Sequence, residues 1–261
     1  MSTETFQLRH RLNPGERLVL GAETRQETWI GVPGKVAEVV TYQEDVTTVD
    51  VVAVDEAGVI EVRVGGSVWK ATTDRSVDLR KDATQDRPPT TFHITPTGQV
   101  VRCHIEPFHG PWQEQEPQLE DMIAYVVRQF PPLARLPDEP VTVGATWSGQ
   151  SALAGPYGSD VGAAAEGQLF AVTEVGGQRC AWLRGELEVP LRFALPHGPA
   201  QMAFAGTFRS QTHTLFALAA GRATRGQATA SVTATVAVTL PAQPPQTMPL
   251  VSRVVSAWRL Q

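Results

Sequence analysis

Residues 229–238 alternate without a break. Thr229, Ser231, Thr233, Thr235 and Ala237 fall on one parity, and Ala230, Val232, Ala234, Val236 and Val238 on the other. A period of two places the sets on opposite faces of an extended strand, and no helix can segregate them. A strand with one apolar face has to belong to a sheet with one covered side, so this segment restricts the fold to sheet architectures. The same alternation recurs at Ile60, Val62 and Val64 against Glu61 and Arg63. β-Branched and aromatic residues crowd 36–54: Val36, Val39, Tyr42, Val46, Val49, Val51, Val52 and Val54.

Turn residues punctuate these runs, with 22 glycines and 20 prolines spread along the chain. NPG at 13–15, GVPG at 31–34, DEAG at 55–58 and PHGP at 196–199 read as breaks. The pattern predicts a strand over Arg17 to Leu20, a second toward Ile30, and strand pairs within 35–54. It predicts hairpins at Gly65-Gly66, across PTGQ within 92–105, and at Gly176-Gly177 with arms 168–175 and 178–188. Residues 154–167 read as a glycine-rich loop, and LVSRVVSAWRL as a final strand.

One segment changes period. Leu119, Met122, Ile123, Val126, Val127 and Phe130 recur at helical spacing. Pro117 suits a first turn, Glu116, Glu120 and Asp121 suit the positive end of the helix dipole, Arg128 suits the negative end, and Pro131-Pro132 stop the run. The expectation is a mainly β chain: one large curved antiparallel sheet wrapped around one central amphipathic helix, 117–130. A single domain over 1–261 is expected, with two similar halves, 15–115 and 136–261, joined by that helix as in a duplicated half-barrel. GVIEVRVGG and AVTEVGGQRCAWL are the loosely matching strings.

Charge narrows the partners. The net charge of -5 and pI of about 5.7 give no general affinity for nucleic acid or anionic membranes. The distribution is uneven. No Asp or Glu follows Glu188, whereas Arg192, Arg209, Arg222, Arg225, Arg253 and Arg259 do, so the C-terminal part is either a solvated basic face or an anion- or partner-binding one. No apolar run is long enough for a membrane span, so membrane insertion is not expected. The opening MSTETFQLRHR lacks an apolar stretch, which reads as cytoplasmic as the sequence stands, or as cell envelope if an export signal was removed.

Catalytic and metal motifs are missing. The histidines are His10, His93, His104, His109, His197 and His213, with no CxxC, HExxH or HxH among them. Cys103 and His104 are adjacent on a strand and point to opposite faces, so they cannot act as a nucleophile–base pair; His93 is the cross-strand candidate. Cys103 and Cys180 are either free buried thiols or one bridge between strands. Glu116 and Glu120 share a helical face but read as complementing the dipole. No GxSxG and no phosphate-binding glycine loop occurs. Trp112 either caps the sheet or lines a groove mouth. The chain is therefore expected to have no catalytic, metal or cofactor residues and to be no enzyme.

LPDEPVTVGATW, 136–147, resembles an LPxxPVxVGxxW element of a group of uncharacterised bacterial proteins, many of them lipoproteins. GQLFAVTEVGGQRCAWL and HTLFALAAGRATRGQATASVTATV are similar to later strands of that group, with Ala217 to Arg222 replacing an acidic residue and turn. The resemblance covers 136–240 and the first half by layout only. It implies the open, highly curved antiparallel sheet of bacterial lipoprotein carriers, and no functional residues. The resulting expectation is a non-catalytic binding module for an apolar small molecule or lipid. The alternative is a structural or protein-interaction protein without a pocket, acting on a protein partner or as a homo-oligomer.

Overall fold

The computed structural model describes residues 4–32, 35–73, 85–86, 90–105, 135–154, 160–197, 200–241 and 244–261. They form twelve strands: β1 (Arg17–Val32), β2 (Lys35–Val54), β3 (Ile60–Thr73), β4 (Gln85–Asp86), β5 (Thr90–Ile94), β6 (Val100–Ile105), β7 (Thr146–Ala154), β8 (Asp160–Val175), β9 (Gln178–His197), β10 (Ala200–Ala217), β11 (Arg222–Thr239) and β12 (Gln246–Leu260). One antiparallel sheet holds them in the order β6-β5-β3-β2-β1-β12-β11-β10-β9-β8-β7, with β4 paired to β3. Most pairs join sequence neighbours; β3 also pairs β5 past the short β4, β6 and β7 do not pair, and β1 and β12 join the two ends of the chain.

The edge strands β6 and β7 come within 8 Å of each other, Cα to Cα, without pairing. A flat sheet of this order would hold them about 48 Å apart, at about 4.8 Å per strand. The sheet is therefore rolled, with an unpaired seam rather than a closed barrel.

Rolling gives each strand an inner and an outer parity. Leu18, Leu20, Val49, Val51, Val62, Phe92 and Ile94 form an inner cluster on one side. Leu169, Leu183 and Phe216 form another with Phe6, Leu8 and Leu136. A third, Leu191, Met202, Phe204, Phe208, Val236 and Leu250, lies further along β9–β12. Thr28 and Ser252 are buried near it with hydroxyls 3.0 Å apart, and Gln26 donates to Ser252 at 3.3 Å. Two inner glycines face indoles directly across the ladder: Gly167 opposite Trp147 and Gly226 opposite Trp258. A Cβ at Gly226 would lie 2.6 Å from the Trp258 ring, so the pair needs glycine.

The N-terminal segment closes one end of the roll. Phe6 exchanges backbone hydrogen bonds with Val141, at 2.7 and 3.0 Å, His10 N–H donates to Pro96 O at 2.7 Å and Arg11 N–H to Gly221 O at 2.9 Å. Leu8 is fully buried, as is Leu136, whose N–H donates to Thr97 O at 2.7 Å. Arg135 clamps the same corner through Thr97 and through Asp138 at 2.9 Å.

The expected sheet wrapped around a central helix is corrected: the described residues contain strands, turns and extended segments, and no helix. The segment 117–130 lies outside them. The cover found on the inner face at the closed end is extended chain, Phe6 to Leu12 and Leu136. A 3.6-residue stripe says which face a helix would bury; a 14-residue helix depends on that burial to form at all. Strand lengths also differ from expectation. Arg17–Val32 is one strand and Lys35–Val54 another, paired from Val32↔Lys35 to Arg17↔Asp50. Gly65-Gly66 lies inside β3, opposite Thr47 and Thr48, and makes no hairpin. Much of the expected loop 154–167 belongs to β8. The hairpins at 95–99 and at Gly176-Gly177 are as expected. Both turn glycines of the latter have positive φ, 60° and 76°. The two Gly-Gly pairs thus occupy different structural positions.

Candidate functional site

Along the middle of β8–β12 the outer parity is rich in polar side chains, and they line up across the ladder. One row reads Glu188, Arg209, Ser231, Arg253 and then Glu27 of β1. The next reads Glu166, Glu186, Gln211, Thr229, Val255 and Arg25. Over these rows a trough of about 1020 Å³ crosses all five strands. Its walls carry Glu166, Glu186, Glu188, Arg209, Ser231 and Arg253, with Pro190 and Thr207 toward one side. The backbone of Leu187, Ser210, Ala230 and Val254 contributes the floor, because those side chains belong to the inner parity.

The charges are largely matched in place. Arg209 Nε donates to Glu188 at 2.9 Å and Gln211 Nε2 to Glu186 at 3.2 Å; Arg184 also donates to Glu186. Those bonds, from Gln211 first and Arg184 second, hold the Glu186 carboxyl below its usual range. Arg253 lies over Trp29, 5.6 Å from the ring centre, and Arg25 over Tyr42 at 5.7 Å while also bonding Glu27. This surface can donate and accept hydrogen bonds along its length. His213, on the strand that carries Arg209 and Gln211, lies opposite Arg184 and Gln227 and is exposed.

The residues weighed from sequence are dispersed. Cys103 pairs with Phe92 and His104 with Thr91, so successive positions of β6 fall on opposite faces, and His93 pairs with Arg102. His10 is buried with its ring edge-on to Phe216 at 5.6 Å. His109, Trp112, Glu116, Glu120 and Asp121 lie outside the described residues. Cys180 is free and buried, its thiol donating to Gln178 O at 3.5 Å; burial pushes it up, partly offset by Arg225. Among the described residues, no group of three or more His, Cys, Asp or Glu could hold a metal.

The sequence reading missed the trough. Its trace was present as Glu186 and Glu188 on one strand and Arg209 and Gln211 on the next, which become partners once the register is known. The chain matches no protein-family model and no curated protein.

Proposed function

We propose that the chain is a non-catalytic protein-interaction module whose partner lies across the outer trough of β8–β12. The observation that carries this reading is the trough itself: an open channel five strands wide, of mixed polar and apolar lining, whose charged walls are held in place by one another. An extended segment of a partner protein suits such a channel, because it can continue the cross-strand rows of charge and hydroxyl. The pairs are exposed: the Arg209 and Glu188 side chains are 69% and 54% accessible. They contribute little to folding, so they can exchange partners with an incoming segment at small cost.

A photo-crosslinking residue at Ser231, in the full chain expressed in cells, tests the reading. A discrete adduct is expected, and it should disappear when Glu188→Gln and Arg209→Gln are combined. An adduct pattern no different from that of the same probe at exposed Val36 of β2 would overturn it.

A second reading keeps the apolar or lipid-like ligand. It is favoured by the inner cluster Leu191, Met202, Phe204, Val236 and Leu250, which lies away from the end closed by Phe6 to Leu12. Saturable binding of an environment-sensitive apolar dye, displaced by long-chain lipid, would support it. A folded sample without saturable dye uptake would remove it.

A further inference from the structure

Nearer the closed end, the outer face carries a second constellation, separate from the trough. Trp182, Leu215, Arg225 and Arg259 form one cross-strand row over β9, β10, β11 and β12. Two bulges create it. In β11, Leu215 pairs with Arg225 while Phe216 pairs with Ala223, so Thr224 is the extra residue. Its hydroxyl donates to Leu215 O at 3.2 Å. Unbroken alternation from buried Ala223 would turn Arg225 to the inner face; the bulge turns it outward. In β8, Leu169 pairs with Leu183 and Ala171 with Trp182, so Phe170 is extra. Its side chain is 69% exposed, and Trp182 beside it is 36% exposed.

Arg225 and Arg259 are direct cross-strand partners, an arrangement in which like charges repel. Among the described residues, no carboxylate or ring engages either guanidinium; the one electrostatic neighbour is the buried Cys180 thiol, which Arg225 influences. The contrast with the neighbouring arginines is clear: Arg17, Arg179, Arg184, Arg209 and Arg222 each hold a carboxylate. One bulge turns Arg225 out toward Arg259, and the other exposes Phe170 near Trp182, two strands away across buried Leu215.

We propose that Arg225 and Arg259 bind a phosphate-type oxyanion, with Trp182 and Phe170 covering an apolar or aromatic part of the ligand that carries it. Adjacent strands are about 4.8 Å apart, so two guanidiniums can flank one tetrahedral anion and each donate paired N–H groups to it. A dianion cancels the repulsion of both arginines, whereas a single carboxylate neutralises one.

The test uses the full chain and inorganic phosphate, titrated at constant ionic strength against chloride. A saturable rise in the thermal midpoint is expected, about 3 °C or more at high occupancy, with a change in tryptophan fluorescence. The combination of Arg225→Gln and Arg259→Gln should abolish both responses. It should also leave the midpoint in chloride equal to or above that of the parent, since it relieves repulsion. Arg192→Gln, an exposed arginine elsewhere on the outer face, should keep them. Phosphatidylcholine vesicles containing phosphatidic acid separate the sources. Co-flotation that needs both arginines assigns a lipid headgroup, and a phosphate response without flotation assigns a soluble phosphorylated ligand. A response that is absent, unsaturable, or unchanged in the double variant overturns the site.

Discussion

Replacing Leu8 by alanine tests whether the N-terminal segment is part of the core or merely lies on it. Leu8 has 0% exposure and packs in one cluster with Phe6, Leu136, Leu169, Leu183 and Phe216. Leu→Ala at a fully buried site costs about 3–5 kcal/mol when the surroundings cannot collapse into the space. Collapse is hindered here. The segment is pinned on both sides of Leu8 by the Phe6–Val141 bridge and by His10 and Arg11 bonding Pro96 and Gly221. At about 2–4 °C per kcal/mol for a chain of this size, the midpoint should fall by roughly 6–20 °C. Urea unfolding followed by circular dichroism measures the loss, with the slope against urea expected to be unchanged. Val143→Ala, at a side chain 51% exposed on the neighbouring segment, should stay within about 0.5 kcal/mol. A Leu8→Ala loss below about 1 kcal/mol would mean that the segment does not close the roll, and the account of the inner core would fall with it.

Gly206→Val should cost more than about 3 kcal/mol or prevent folding. An added Cβ meets the Thr233 carbonyl oxygen and the Ala234 Cα, both backbone atoms of a paired strand; soluble yield and urea midpoint report it. Arg209→Ala should change stability by less than about 1 kcal/mol in the same assay, because its pair with Glu188 is exposed. The Asp138 carboxyl is held below its ordinary value of 3.8 chiefly by Arg135, with Thr97 adding a hydrogen bond. A lowered folded-state value means that its stabilising effect is full above about pH 4 and is lost as the pH falls through the depressed value. The thermal midpoint of Asp138→Asn should therefore lie below the parent at pH 7 and converge with it as the pH falls through the depressed carboxyl value. A constant gap across that range would refute the linkage.

The sheet was legible because alternation is a local property that tertiary structure seldom reverses. The parity read at 229–238 is the parity found: Val232, Ala234 and Val236 are buried, and Thr229, Thr233 and Thr235 are exposed. Strand ends were less legible. Gly-Gly reads as a turn wherever it stands, yet Gly65-Gly66 continues a strand because β2 extends past it and supplies partners in Thr47 and Thr48. Composition around a glycine pair cannot report how far the neighbouring strand runs. The expected helix shows a different limit, since periodicity identifies a face but not its cover, and the cover described at the closed end is Phe6, Leu8 and Leu136.

The two outer constellations were harder to see for a physical reason: both depend on register. Glu188 and Arg209 are 21 residues apart, and Arg225 and Arg259 meet only after β11 and β12 pair. The outward direction of Arg225 also contradicts simple counting from Ala223, because one bulge residue, Thr224, inverts the parity of the rest of β11. A sequence reading could notice that arginines lack acidic company after Glu188. It could not tell that five of the six separate into an arginine tied to Glu188, one tied to Glu16, one lying on Trp29, and a facing pair without a carboxylate among the described residues. That division is what turns an uneven charge distribution into a particular place where an anion reduces the energy of the fold.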